Sequence, residues 1–125
     1  VARRRKIFDR YKEDPSDIGM LDWMPEANFG KSNRWLTCAT INTDTCALSV
    51  TKVLSDLALQ GIEARHLWRP MHRQPMFKGS GYYMHDHRSI SDSLFERGFC
   101  LPSGTSMTDE EQGRVIGVLR GLLLQ

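Results

Sequence analysis

The densest set of groups able to do chemistry runs from Glu63 to Phe77. Glu63-Ala64-Arg65-His66-Leu67-Trp68-Arg69-Pro70-Met71-His72-Arg73-Gln74-Pro75-Met76-Phe77 holds three arginines, two histidines, a tryptophan and a phenylalanine. Its two prolines stiffen the backbone. A guanidinium fork grips phosphate or carboxylate in one plane. Imidazole bonds hydroxyls and exchanges protons near neutral pH, and aromatic faces stack on rings. Together the set suits an anionic ligand that carries a ring. A plainer alternative stands beside it: a strand and its following loop, with Trp68 in the core and the arginines solvated outside.

Other constellations carry less. His85-Asp86-His87 puts two imidazoles on one side of an extended segment, as zinc or nickel would use. No cysteine or carboxylate set completes it, so no metal site is assigned. Ser103, in Leu-Pro-Ser-Gly, lacks the glycine pair of a nucleophile elbow and is expected to be a turn serine. Cys38, Cys46 and Cys100 are an odd number at unrelated spacings in apolar segments. They are expected to be reduced, inert core thiols of a cytoplasmic protein. No glycine-rich phosphate loop is present. A net charge of +2 and a pI of about 8.6 make no case for nucleic acid. No apolar run reaches the ~18 residues of a membrane span, and no signal peptide is visible. The residues alone therefore describe one contact segment and no self-contained catalytic site.

The elements that must position this segment follow from periodicity. At 125 residues the chain is sized for one domain. Ile7, Phe8 and Tyr11 form one apolar helical face that stops at Asp14-Pro15. This helix has no N-cap in the sequence and is expected to be the end of a longer one. Residues 18–31 predict a loop or short extended strand, and Trp35 to Ile41 a buried strand closed by Asn42-Thr43-Asp44. Val50, Val53, Leu54 and Leu57 predict a helix, capped by Thr43 or Asp44 and stopped by Gly61. Ile62 to Trp68 is extended, and residues 78–88 form a loop. Ser89 to Arg97 is a short helix closed by Gly98, followed by the strand Phe99-Cys100-Leu101. Thr108 with Glu111 makes a capping box, and Val115, Val118, Leu119 and Leu122 give the last helix its buried stripe. The sum is a small α+β fold: a mainly antiparallel sheet of three to four strands with helices packed on one face.

Five blocks in order carry a resemblance. They are Ser32-Asn33-Arg34-Trp35-Leu36-Thr37, Gly61-Ile62-Glu63-Ala64-Arg65, Leu67-Trp68-Arg69-Pro70-Met71-His72 with Gln74-Pro75 and Phe77, Leu94-Phe95-Glu96-Arg97-Gly98, and Leu101-Pro102-Ser103-Gly104. The chain resembles, over nearly its whole length, the C-terminal part of the DegT/DnrJ/EryC1/StrS aminotransferases. These are pyridoxal-phosphate enzymes that transaminate keto-sugars on nucleotide carriers. The resemblance implies that residues 1–17 end an interdomain helix and residues 18–125 form the small domain of a fold type I aminotransferase. It also implies that the cofactor, its Schiff-base lysine and its pyridine-binding carboxylate belong to a large domain outside this chain. The five lysines here, Lys6, Lys12, Lys31, Lys52 and Lys78, fall outside the family's lysine motif, so this chain alone is expected to hold no cofactor and no catalytic residue. What the small domain supplies is part of the substrate wall, at Arg65 and His66 first, then His72, with Trp68, Arg69 and, near the strand anchor, Asn33.

The segment's form resembles enzymes acting on UDP-linked 4-keto-6-deoxy-N-acetylhexosamines, although His66 stands where they often carry proline. The implied partners are the nucleotide-linked keto-sugar, an amino donor such as glutamate, the chain's own large domain and a second subunit of a homodimer. A second possibility from another class keeps the fold as a freestanding binding or sensing module without transaminase activity.

Overall fold

The computed structural model describes residues 1–13 and 19–124. Helix α1 spans Ala2–Glu13, strand β1 Leu21–Trp23, strand β2 Thr37–Ile41 and helix α2 Val50–Leu59. The chain continues with β3 at Arg65–His66, α3 at Ile90–Arg97, β4 at Gly98–Leu101 and α4 at Asp109–Leu123. All pairings are antiparallel and the strand order is β1-β2-β4-β3. The α+β architecture with an antiparallel sheet is thus the expected one. The proposed end of α1 at Asp14-Pro15 lies outside the described residues.

Alternation along the strands decides which face is inside. Ala39 and Ile41 of β2 and Phe99 and Leu101 of β4 enter one buried cluster with Ile7 and Tyr11 of α1, Val50, Val53 and Leu57 of α2, and Val115, Ile116 and Leu119 of α4. Three helices therefore cover one face, while α3 buries none of its residues. The Tyr11 hydroxyl donates to the Pro102 carbonyl at 3.0 Å, and its burial pushes the phenol well above its ordinary value. Gln112, 1% exposed, donates through Nε2 to the Ile7 carbonyl at 2.8 Å and so ties α4 to α1. That bond rotates the buried stripe of α4: Gln112, Val115, Ile116, Leu119 and Leu123 are inside, and Val118 and Leu122 only partly so.

Caps separate the local signals that hold from those that do not. The Thr108–Glu111 capping box is formed in both directions, with bonds of 2.7 and 3.1 Å. Gly61, at φ +68°, ends α2 with its N–H on the Ala58 carbonyl. The cap at the start of α2 is Ser49, not Thr43 or Asp44. Asn42 Oδ1 accepts from the Asp44 N–H at 3.0 Å, and Cys46 N–H donates to the Asn42 carbonyl at 2.9 Å. Residues 42–46 are therefore spent on a turn, which leaves Ser49 as the hydroxyl nearest the helix. Gly98 closes α3 as expected, in extended backbone (φ −104°, ψ 145°) that also opens β4. Two predicted strands are shorter than expected. Trp35 stands outside β2, and only Arg65–His66 of the 62–68 stretch pairs with β4. Trp68 is 63% exposed, which overturns its placement in the core.

Gly98 has no side chain for a steric reason. A Cβ there would stand 2.1 Å from Leu67 Cδ1 and 2.3 Å from the Leu94 carbonyl oxygen, and the latter is backbone that cannot rotate away. Gly98→Ala is expected to lower stability by about 2 kcal/mol or more, read as a lower denaturant midpoint. At Gly117, in the exposed middle of α4, an added Cβ meets nothing within 4 Å. Gly117→Ala should instead raise stability by about 0.5–1 kcal/mol. Equal shifts in the two variants would refute the steric account.

Candidate functional site: a groove at the β3 edge

The β3–β4 register sets Arg65 opposite Cys100 and His66 opposite Phe99. Beside this edge lies a groove of about 660 Å³, walled by Trp35, Glu63, Arg65, His66 and Trp68, by the end of β4 and by the turn that follows it to Gly104. The Trp35 and Trp68 ring centroids are 6.3 Å apart and tilted by 35°. Both indoles are more than half exposed. Arg65 is paired with Glu63, with its Nε donating at 2.9 Å, and that carboxylate holds the guanidinium firmly charged. His66 lies 5.6 Å from the Phe95 ring of α3. Two stacking faces, a cation and an imidazole thus share one open hollow.

The wall is held by buried bonds behind it. Ser103 Oγ accepts from the Thr37 N–H at 3.0 Å and donates to the Leu101 carbonyl at 2.9 Å. The serine is therefore a structural pin between the end of β4 and the start of β2, as the turn assignment expected. Trp35 is placed by its neighbours. Arg34 is buried at φ +49°, donates to the Met24 carbonyl at 2.8 Å and lies 3.7 Å from the Phe8 ring centroid. Left-handed backbone at a bulky residue is costly, and the cation–π and hydrogen-bond contacts offset that cost. Asn33 Oδ1 accepts the Trp35 N–H at 3.0 Å. Asn33 itself lines neither this groove nor its neighbour.

A second hollow of about 530 Å³ adjoins the first and shares Trp68 with it. Arg69 and His72 line it, opposite Tyr82 and Ser91. His72 is stacked on Tyr82 at 3.8 Å between centroids, and its Nε2 bonds Asp92 at 2.9 Å. Asp92 also accepts from Ser89 and from Arg73 Nε at 2.5 Å. These donors, Ser89 foremost, pull its carboxyl below the ordinary range despite desolvation. The turns Met71–Arg73 and Pro75–Phe77, each started by a proline-containing step, bring His72 round to this hub. A further hollow runs along α1 among Lys6, Asp9 and Arg10 and has no aromatic wall. It is the solvated face of a basic helix.

The chain matches the DegT/DnrJ/EryC1/StrS aminotransferase family over residues 1–120. It belongs to that family. A curated relative is EpsN of Bacillus subtilis (strain 168), whose name describes it as a pyridoxal phosphate-dependent aminotransferase. Identity to it is 48% over 120 residues, covering 95% of this chain and 30% of EpsN. The chain therefore spans under a third of that relative's length. Among solved structures, DesI in the presence of its TDP-sugar product superposes with a TM-score of 0.85 at 22% identity, covering 99% of this chain and 31% of DesI. Aminotransferase TlmJ from Streptoalloteichus hindustanus gives 0.81 at 21% identity, with 99% and 32% covered. At these identities the superpositions establish a shared fold.

Of the residues singled out from sequence, this member of the DegT/DnrJ/EryC1/StrS family groups Arg65, His66 and Trp68 in one groove and Trp68, Arg69 and His72 in the other. Trp35, Tyr82 and Asp92 were missed as site residues. Trp35 had been assigned to a strand, and Asp92 has no local signal beyond its place in the first turn of α3. His85, Asp86 and His87 sit on an exposed tight turn, with Asp86 and His87 at positive φ. Among the described residues no three ligating groups gather. All five lysines are exposed, and none lines either groove. Among the described residues no helix is long and apolar enough to cross a membrane.

The segment leading into Trp35 carries a pH-dependent clamp. Arg5 donates to both oxygens of Glu26 at 2.7 and 2.9 Å, and the Ser32 N–H donates to Oε1. Arg5 first, then Ser32, hold the Glu26 carboxyl at about 2 against an ordinary 4.5. A depressed folded-state pKa stabilises above the unfolded value and loses that contribution as pH falls through the folded one. The difference in Tm between wild type and Glu26→Gln should thus be full above pH 4.5 and vanish by about 2. A difference that stays constant through that window would exclude the clamp.

Proposed function

We propose that this chain is the small C-terminal domain of a pyridoxal-phosphate-dependent nucleotide-sugar aminotransferase, and that the groove at the β3 edge forms part of its substrate wall. One observation carries the proposal: a guanidinium and an imidazole on adjacent residues of one strand share a groove with two exposed indoles, on a fold that spans 30% of EpsN. In this role Arg65 and Arg69 pair with anionic oxygens of the carrier. His66 and His72 bond sugar hydroxyls, with Asp92 and Tyr82 orienting the His72 ring. Trp68 offers an apolar wall, and Asn33 acts indirectly by holding Trp35.

The rest of the assignment follows the family resemblance. Residues 1–17 close the interdomain helix and residues 18–125 form the small domain. The favoured substrate is a UDP-linked 4-keto-6-deoxy-N-acetylhexosamine, with glutamate as amino donor, in a cytoplasmic homodimer. DesI, whose structure holds a TDP-sugar product, supports the substrate class. Pyridoxal phosphate supplies the amino-group chemistry in the large domain. The residues of this chain bind and orient, and do not react.

In the intact protein, Arg65→Ala and His66→Ala should each lower kcat/KM for the nucleotide sugar by about tenfold or more, chiefly through KM. Unchanged steady-state kinetics in both variants would remove the groove from the substrate path. The chain alone, incubated with pyridoxal phosphate and borohydride, should take up no stoichiometric label at any single lysine. Stoichiometric labelling at one lysine would return the cofactor site to this chain. Transaminase activity absent from the intact protein, with ligand binding retained, would favour the freestanding binding module.

A further inference from the structure

We propose that Cys38 and Cys100 form a reversible dithiol–disulfide site, oxidised by a small-molecule disulfide that reaches Cys100 through the groove beside Arg65. This inference does not depend on the aminotransferase assignment.

The geometry comes from the sheet. Cys38 and Cys100 are register partners on the two central strands, and their sulfurs are 3.5 Å apart. A strand residue points its N–H and C=O toward the same neighbouring strand, and successive residues alternate. The Cys38 carbonyl accepts from Met24 N–H on the β1 side, and the Gly98 carbonyl, two residues before Cys100, accepts from Leu67 N–H on the β3 side. The backbone polar groups of the two cysteines therefore point away from each other, which makes them a non-hydrogen-bonded pair. In such a pair the Cα atoms approach to about 4.5 Å, within the range a disulfide spans, about 4.4–6.8 Å. Closing the sulfurs to a bond of about 2.05 Å then needs side-chain rotation alone. No ladder hydrogen bond lies between them to break. Both side chains sit on the face away from the core, since Ala39 and Phe99, their neighbours in sequence, point inward. Cys46, by contrast, is a free thiol inside the core cluster.

Access differs between the two. Cys100 lines the groove, next to its other register partner Arg65, whereas Cys38 does not. The bond between the two sulfurs allows either thiol to donate; with Cys38 donating, its own pKa rises and that of Cys100 falls, which agrees with this order. Cys100 is then the entering nucleophile and Cys38 the resolving one. The Cys100 thiolate attacks one sulfur of R–S–S–R, the S–S bond breaks and RS⁻ leaves. Cys38 gives up its proton and attacks Cys100 Sγ, which expels the second RS⁻. Two protein thiols lose two electrons, the small disulfide becomes two RSH, and both protons pass to the leaving thiolates.

The test is peptide mapping of the folded full chain after equilibration with glutathione buffers of rising oxidised fraction, with free thiols alkylated. The expected product has lost two hydrogens, joins the Cys38 and Cys100 peptides and leaves Cys46 alkylated. It should revert with dithiothreitol. Because the cross-link closes a long loop between distant segments, its Tm should exceed that of the reduced chain by about 5 °C or more. Cys38→Ser should stop at a glutathione adduct on Cys100, and Cys46→Ser should behave as wild type. Full alkylation of Cys38 and Cys100 at every ratio, with circular dichroism unchanged, would overturn the proposal. So would a disulfide that includes Cys46.

Discussion

The pairing of β2 with β4 is the constraint on which the rest of the structure depends. The two strands lie about sixty residues apart in the chain, yet they form the centre of the sheet in strict antiparallel register from Thr37 against Leu101 to Thr40 against Gly98. A slip of β2 by one residue would send Ala39 and Ile41 to the open face and bring Cys38 into the core. Inward residues on both strands pack against three helices, so the register is held by the whole core. Ser103 closes the same pairing at its end by bridging the Thr37 N–H and the Leu101 carbonyl. The Thr37 hydroxyl itself remains without a partner among the described residues, an unsatisfied polar atom beside that pin.

The groove inherits its geometry from this register. β3 is only two residues long and has no freedom to choose its own placement. Its position against β4 puts Arg65 over Cys100 and His66 over Phe99, and the turn after β4 supplies the groove's far wall. Segments without regular structure are then anchored by charge. Arg5 clamps Glu26, Arg34 lies over Phe8, and Asp92 gathers His72, Arg73 and Ser89. Partly buried, multiply bonded carboxylates do here what apolar packing does beneath the sheet: they give a loop one conformation.

Much of this was legible from spacing. The buried faces of α1 and α2, the Thr108–Glu111 box and the stop at Gly61 depend on residues within one or two helical turns, where the chain's own stereochemistry decides. The antiparallel α+β class was also readable, as were Arg65, His66 and Trp68 as neighbours, since a run of three or four residues in extended chain cannot separate them by much. Failures had a common cause. Ser49 displaced Thr43 and Asp44 because Asn42 had already turned the chain. Gly98 does close α3, but the closeness of Leu67 and the Leu94 carbonyl that excludes a side chain there is something no helix-stop rule considers. The plainer alternative put Trp68 in the core, whereas it stands exposed beside Trp35 on the groove wall.

What the sequence alone determined was the set of elements, their caps and breaks, and, through five ordered blocks, membership of a family of aminotransferases. These are local or pattern properties, and a linear string carries them in full. Only the tertiary structure decided that Cys38 faces Cys100, that Arg34 lies over Phe8, and that Asp92 anchors His72. Each of these joins residues through the register of strands or the docking of a helix, a relation set by the collective packing of one core and not by any distance along the chain.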